Sequence, residues 1–222
     1  QNDFEREKMV VGNRVMTVED YKDAHIYRWL FMFAHYLGYL QYISRFLRNF
    51  KNITFKQFYL DLMDFSKNSK DSKFLKKEIN ETKKSISSYF NCEGGAGRIV
   101  EDVRKNFAWD FEEATAININ SNKEIFYSEI KIFLKKYNLD QELVDDLIEF
   151  QKNSIIDPNI EYPVKLKTNF NFHEVIKYFA KIENKSITYQ INGKNYNGDV
   201  FEWAKETLWW GRRVAACKGK IK

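Results

Sequence analysis

The feature that most constrains the fold is an aromatic, almost entirely apolar run from Trp29 to Ile43. It lies inside a longer helical pattern that extends from Val18 to about Phe50. A helix that is apolar nearly all the way round is either the central helix of a core or a membrane span, and a span needs roughly 20 predominantly apolar residues. This run is shorter, and Arg28 and Arg45 flank it. The sequence therefore predicts one long buried helix around which other helices pack.

The composition supports a mainly helical protein. The 222 residues include only nine glycines and two prolines, which favours long helices over a β fold with many turns. Lysine and arginine exceed the acidic residues by 36 − 31 = 5, and so small an excess does not by itself imply a nucleic-acid partner. Cys92 and Cys217 cannot form a disulfide framework, and no signal peptide is recognisable. We therefore expect a cytoplasmic protein with two passive thiols.

Short-range capping signals predict where several helices begin. Ser, Thr, Asp and Asn are the preferred residues at the position before the first helical turn. Such residues precede apolar helical patterns at Thr17, Thr54, Asp110, Asp140 and Asp199. Asp110 is followed three residues later by Glu113, which is the spacing of a capping box.

The predicted fold class is mainly α, a helical bundle around one long buried helix with a small two-stranded β element near the C-terminus. The two predicted strands are Tyr162 to Phe170 and Ser186 to Ile191, the first because its side chains alternate in character. The chain is expected to divide into a lead-in segment, a helical body, a strand-helix-strand-helix appendage packed on that body, and a basic tail. These parts span residues 1–16, 17–158, 159–211 and 212–222.

The histidines do not predict a metal site. His25 and His35 are ten residues apart on the same predicted helix, whereas helical metal ligands are usually three or four residues apart. His35 lies in the most apolar part of the chain, so we interpret it as a core histidine with a hydrogen-bond partner. The alternative is a side chain that points into a cleft beside Arg28 or Tyr39.

Two other motifs are better explained by structure than by catalysis. The stretch from Gly94 to Gly97 follows a predicted helix and lacks the Lys-Ser/Thr pair of a phosphate loop, so it predicts a turn. The segment around Trp109 brings carboxylates beside an apolar wall, an arrangement that raises the pKa of an acid. Capping accounts for Asp110 and Glu113, which leaves Glu112 as the free acid.

A set of dispersed motifs resembles the C-terminal region of cobalamin-binding-domain radical SAM proteins. Members of this family are often labelled Fe–S oxidoreductases or magnesium-protoporphyrin monomethyl ester oxidative cyclases. The similarity spans about Met16 to Gly211. Its motifs are Met16-Thr17-x-x-Asp20-Tyr21-Lys22, Trp29, His35-x-x-Gly38, Gln41-Tyr42-Ile43-Ser44-Arg45-Phe46-Leu47, Tyr59-x-x-Leu62, the glycine stretch, Trp109-x-Phe111-Glu112-Glu113-Ala114, Phe126-Tyr127-x-Glu129-Ile130 and Asp146-Leu147-Ile148-x-Phe150-Gln151.

The resemblance implies an accessory domain without catalysis of its own, which covers or shapes the substrate side of a radical SAM barrel. The parent enzyme would be an oxidoreductase or methyltransferase that uses SAM, a [4Fe–4S] cluster and cobalamin. This chain departs from the family pattern because it has neither Cys-x-x-x-Cys-x-x-Cys nor Asp-x-His-x-x-Gly. It also opens with Gln1. We therefore expect the cofactors to be bound by N-terminal cobalamin-binding and radical SAM domains of a longer chain, which would be the partners of this one.

Five polar or amphipathic residues occupy positions where the pattern otherwise demands apolar ones. These candidate contacts to substrate or to another domain are His35, Gln41, Arg45, Trp109 and Glu112. No membrane partner is expected. Two rival hypotheses remain open: a standalone helical module that binds nucleic acid or protein through its lysine-rich face at residues 67–84, and a small-molecule enzyme whose aromatic pocket includes His35. Acids are interleaved with those lysines, so nucleic acid is the less favoured partner.

Overall fold

The computed structural model describes residues 14–91, 93, 95, 97–209 and 218–221. The structures of most of the predicted lead-in segment, of Cys92 and Cys217, of Gly94, and of most of the basic tail lie outside these ranges. Within them the chain is mainly helical, as predicted. No helix of this described part is both long enough and apolar enough to cross a membrane.

Nine α-helices account for most of the described residues. They are α1 (Val18–Phe31), α2 (Gln41–Lys51), α3 (Phe55–Asn68), α4 (Lys73–Phe90), α5 (Phe111–Ser121), α6 (Lys123–Leu134), α7 (Gln141–Asn153), α8 (Phe172–Tyr178) and α9 (Val200–Thr207). A π-helical turn at Met32–Tyr36 follows α1, and a 3₁₀ turn at Lys135–Tyr137 follows α6.

The predicted capping residues are in place. The side chains of Thr17, Thr54, Asp140 and Asp199 each accept a hydrogen bond from a backbone N–H in the first turn of α1, α3, α7 and α9. At α5, the backbone N–H of Asp110 donates to Glu113 at 3.1 Å. These contacts satisfy amide groups that have no partner inside their own helix, so the helix starts are determined locally.

The prediction of one long helix from Val18 to Phe50 is wrong. The apolar run is buried, but α1 ends at Phe31, the π-helical turn follows, and α2 begins only at Gln41. Gly38 lies in the break with a φ of 97°, a backbone conformation that residues with a Cβ rarely adopt.

Gln151 of α7 is the residue that satisfies the break. Its buried side chain accepts hydrogen bonds from the N–H groups of Tyr42 at 2.9 Å and Ile43 at 3.4 Å, and it donates to the Gly38 carbonyl at 3.0 Å. The first amides of α2 have no intrahelical acceptor, and Leu40 at the cap position makes no side-chain hydrogen bond. Gln151 of α7 therefore caps the start of α2, a role that a residue next to the helix fills in α1 and α3.

The β structure is larger than the predicted two-stranded element. Strands β1 (Arg98–Ile99) and β2 (Ala108–Trp109) form one short antiparallel ladder. A second sheet has the order β3 (Val164–Phe170), β4 (Asn184–Asn192), β5 (Lys220–Ile221), with antiparallel neighbours. The strand β5 lies in the segment that was predicted to be a basic tail, and it forms because the edge of β4 beside Ile191 offers unpaired backbone groups.

The helices and the larger sheet share one core. Phe172 of α8 packs against Phe46 of α2 and Phe150 of α7, with ring centroids 5.5 Å apart in both pairs. The rings of Trp29, Trp109 and Trp203 are fully buried in the same core. Large aromatic side chains bury much apolar area each, so this cluster stabilises the contact between the elements before and after residue 158.

A buried ion pair joins α4 to the start of β1. The Glu78 carboxylate accepts from Arg98 at 2.8 Å, and neither side chain is more than 11% exposed. The same carboxylate accepts from Thr115 at 2.8 Å and from Asn118 at 2.9 Å, both on α5. All the strong donors around this acid come from other elements, so the network fixes how α4, α5 and β1 meet.

Candidate functional site

Four of the five candidate residues lie near the π-helical turn, Met32–Tyr36. His35, Gln41 and Arg45 lie around the break that follows the turn, and Glu112 lies across a cleft from Met32 and Tyr36 of the turn. Trp109 precedes Glu112 at the start of α5. Single-turn π-helical segments are frequent at functional sites, which makes the surroundings of this turn a candidate functional site.

His35 belongs to a hydrogen-bonded cluster with Ser44 and Tyr59. The Ser44 hydroxyl donates to the Gln41 carbonyl at 3.0 Å, and the Tyr59 hydroxyl donates to Ser44 Oγ at 3.1 Å. With its own proton committed, the Tyr59 oxygen can only accept from His35 Nδ1, which lies 2.8 Å away. This pattern assigns the imidazole proton to Nδ1 and a lone pair to Nε2.

The surroundings keep His35 neutral. Its ring stacks on Phe31 and meets the edge of Phe55, with centroid distances of 5.0 Å in both cases. Burial, reinforced by the positive charges of Arg45 and Lys218, lowers the pKa of His35 to about 4. At neutral pH the side chain is therefore a hydrogen-bond donor through Nδ1 and an acceptor through Nε2, and not a cation.

This pKa predicts a stability change in acid. In the unfolded chain His35 takes up its proton near the ordinary value of about 6.5, whereas in the folded chain it does so at about 4. Between these values the unfolded state binds more protons, so stability falls as the pH drops through this window. His35→Gln keeps a donor toward Tyr59 and removes the titration. We expect urea unfolding to show a smaller loss between pH 7 and pH 4.5 in this variant than in the unmodified protein. A His35 NMR titration midpoint above 6.5 would contradict the assignment.

A second feature is a cleft of about 130 Å³, which we call the Arg28–Glu112 cleft. Its lining residues are Arg28, Met32, Tyr36, Leu37, Asp110, Glu112, Glu113 and Leu208. Glu112 is buried, and its Oε1 lies 3.5 Å from the Arg28 guanidinium, a weak contact. Its Oε2 is buried without a hydrogen-bond partner among the described residues.

The surroundings of Glu112 raise the pKa of its carboxyl group. Burial raises the pKa of its carboxyl group, an effect that the negative charge of Asp110 reinforces and that the Glu112 backbone N–H and Arg28 oppose. Arg28 itself is about half exposed, with 55% of its side-chain surface accessible. The cleft therefore places a buried carboxyl group beside an accessible guanidinium that can bind an acceptor. Such a pair suits a polar group from a ligand or from another protein surface.

The remaining candidate residues differ in how accessible they are. Arg45 is exposed. The Gln41 side chain is largely buried and accepts from the Lys218 ammonium at 2.8 Å. Trp109 is fully buried, with its ring centroid 4.6 Å from that of Phe107. Its neighbours cover the ring, so Trp109 offers no accessible surface.

The structure also reveals a basic groove that we did not predict. Its volume is about 350 Å³, and its lining residues are Arg45, Arg48, Asn49, Phe55, Ile176, Lys177 and Phe179. One sequence signal could have found it. Residues 24–60 contain no Asp or Glu, although 31 in 222 would give about five in such a segment. The same segment holds Arg28, Arg45, Arg48, Lys51 and Lys56.

Comparisons with known proteins do not assign a family. No family model matches this chain, and no curated protein matches it. Within the part of the chain that the structure describes, no three His, Cys, Asp or Glu side chains come close enough together to hold a metal ion.

Proposed function

We propose that this chain is an accessory domain without a catalytic centre of its own, which docks on the cobalamin-binding and radical SAM domains of a longer parent enzyme. The observation that carries the proposal is the convergence of the motif residues. Gln151 donates a hydrogen bond to the carbonyl of Gly38, 113 positions earlier, at the break between α1 and α2, and His35 contacts Tyr59 beside the same break. A domain structure shared with that family would explain why these motif residues lie together.

The Arg28–Glu112 cleft is the surface best suited to this docking. Its wall carries the buried Glu112 carboxyl group, which contacts Arg28 only weakly at 3.5 Å, so the Arg28 guanidinium can still bind an acceptor on a second surface. Arginine is enriched among the residues that dominate interface energies, and Arg28 is accessible at the edge of the cleft. In the parent enzyme this surface would contact the substrate side of the barrel, while SAM, the [4Fe–4S] cluster and cobalamin would be bound by the preceding domains.

The natural reading frame upstream of Gln1 provides the first test. We expect it to encode Cys-x-x-x-Cys-x-x-Cys, in which three thiolates hold a [4Fe–4S] cluster, and, further upstream, Asp-x-His-x-x-Gly. A reading frame without the cysteine spacing would refute the proposal.

Association of this chain with the separately expressed upstream domains tests the docking surface. We expect Arg28→Ala to weaken binding by at least tenfold in calorimetry, because a contact to a charged group contributes roughly 1.5–3 kcal/mol. Lys83→Ala, an exposed substitution on α4, is the control and should bind like the unmodified chain. Equal affinity for both variants would place the interface elsewhere.

A further inference from the structure

The basic groove concentrates positive charge that the fold itself does not neutralise. Arg45 and Arg48 are three residues apart on α2, so they share one helix face, and Lys177 approaches from α8. None of the three makes an ion pair with another described residue. Like charges that line one groove repel each other, so an anion bound between them would relieve that repulsion.

The acidic side chains that come closest in sequence to these cations are engaged elsewhere. Glu174 of α8 accepts from the Tyr189 hydroxyl at 2.8 Å. Asp61 of α3 accepts from Tyr137 at 3.0 Å and pairs with Lys136. Neither acid lines the groove. The positive potential of the groove is therefore built into the arrangement of α2, α3 and α8.

The aromatic side chains give the groove a second property. The guanidinium of Arg48 lies 4.8 Å from the centre of the Phe55 ring, a cation–π contact that holds its charge at the groove. Phe179 is 75% exposed, and it holds the left-handed conformation at the end of α8 with a φ of 56°. Glycine or asparagine is the usual residue there because a Cβ is disfavoured. A large exposed ring kept in a strained position indicates a role outside the fold.

From this combination we infer that the basic groove binds a phosphorylated small molecule with a planar, aromatic body. Two arginines and a lysine supply the charge-assisted hydrogen bonds that a phosphate or pyrophosphate group accepts. Phe179 supplies a face on which a planar ring can stack. A volume of about 350 Å³ is within the range of small-molecule sites. The inference uses a site separate from the Arg28–Glu112 cleft and does not depend on the proposed docking function.

Calorimetry with ADP as the probe tests the inference. We expect micromolar binding to the unmodified chain and at least a 30-fold loss in the double variant Arg45→Gln/Lys177→Gln, because two charge-assisted contacts disappear. The matched control is Lys76→Gln/Lys83→Gln, which removes the same charge from the exposed face of α4 and should change affinity less than twofold. Undetectable ADP binding, or an equal loss in both double variants, would overturn the inference.

An oligonucleotide of ten thymidines separates a small ligand from a nucleic-acid strand. Polyanion binding weakens steeply with salt because counterions are released. If this strand bound more than tenfold tighter than ADP at physiological salt, the site would be a nucleic-acid groove and the inference of a small ligand would be wrong. Weaker binding than ADP supports it. The His35 ring contacts Phe55 at the groove, so its NMR signals should shift with ADP, while those of His25, packed on Tyr21, should not.

Phe179→Asn distinguishes the role of the ring from that of the charges. We expect this variant to bind ADP five- to tenfold more weakly and to bind inorganic pyrophosphate as the unmodified chain does. We also expect its urea midpoint to rise, because asparagine tolerates the left-handed conformation better than phenylalanine. A variant that folds more stably and still loses ADP affinity cannot have lost it through unfolding. Unchanged ADP affinity would overturn the stacking role.

Discussion

Gln151→Ala is expected to lower the free energy of unfolding by about 3–5 kcal/mol, because it leaves two buried amide donors without an acceptor and removes a helix cap. The donors are the N–H groups of Tyr42 and Ile43, and the carbonyl of Gly38 loses a partner as well. Urea unfolding followed by circular dichroism measures the change. Since the side chain is fully buried, the alanine variant also creates a cavity, which adds to the cost.

Two further variants separate these contributions. Gln151→Leu fills the cavity but restores no hydrogen bond, so we expect it to be nearly as unstable as Gln151→Ala. Gln141→Ala, at the exposed start of the same helix, removes only an exposed contact to Asp145 and should cost less than about 0.5 kcal/mol. If Gln151→Leu proved as stable as the unmodified protein, the capping role of Gln151 would be disproved.

Glu78→Ala is the second substitution with a large expected effect. It leaves the Arg98 guanidinium largely buried without its counter-charge, and breaking a buried pair from one side costs about 3–5 kcal/mol. Thr115 and Asn118 lose their acceptor at the same time. The measurement is again the free energy of unfolding in urea.

The double variant Glu78→Gln/Arg98→Met should be less destabilised than Glu78→Ala, since no unpaired charge remains buried. Glu81→Ala replaces an exposed acid on the same helix and is expected to change stability by less than about 0.5 kcal/mol. A double variant that is less stable than Glu78→Ala would show that the unpaired charge of Arg98 is not the main cost of removing Glu78.

The features that the sequence predicts well are those with short-range causes. The caps at Thr17 and Thr54 were predictable because each donor and acceptor lie within three residues of each other. The capping box at Asp110 follows the same logic. The break after the π-helical turn was not predictable in this way, because its cap, Gln151, comes from α7. Gly38 was the one local hint, and a single glycine is compatible with a helix interior at modest cost.

The same distinction applies to the candidate site. Glu112 was singled out because capping explained its acidic neighbours, and the structure does place its carboxyl group in a cleft. The exposure of Trp109 could not be judged from its own segment, since the ring is covered by Phe107 and by Phe201 of α9. The basic groove combines α2 and α3 with α8. Its composition was visible as a long segment without acids, but the contribution of Lys177 depended on tertiary packing.

The break between α1 and α2 has a consequence for how the protein folds during synthesis. The side chain that secures it lies 109 residues after Tyr42, so the ribosome must release α7 before the bend can be completed. Until then, the amides that Gln151 will satisfy can pair only with water or with carbonyls of the chain already made. We expect a fragment that stops before Gln141, where α7 begins, to form one continuous helix over the apolar run from Trp29 to Ile43. The break between α1 and α2 would then form late, after α7 has been synthesised.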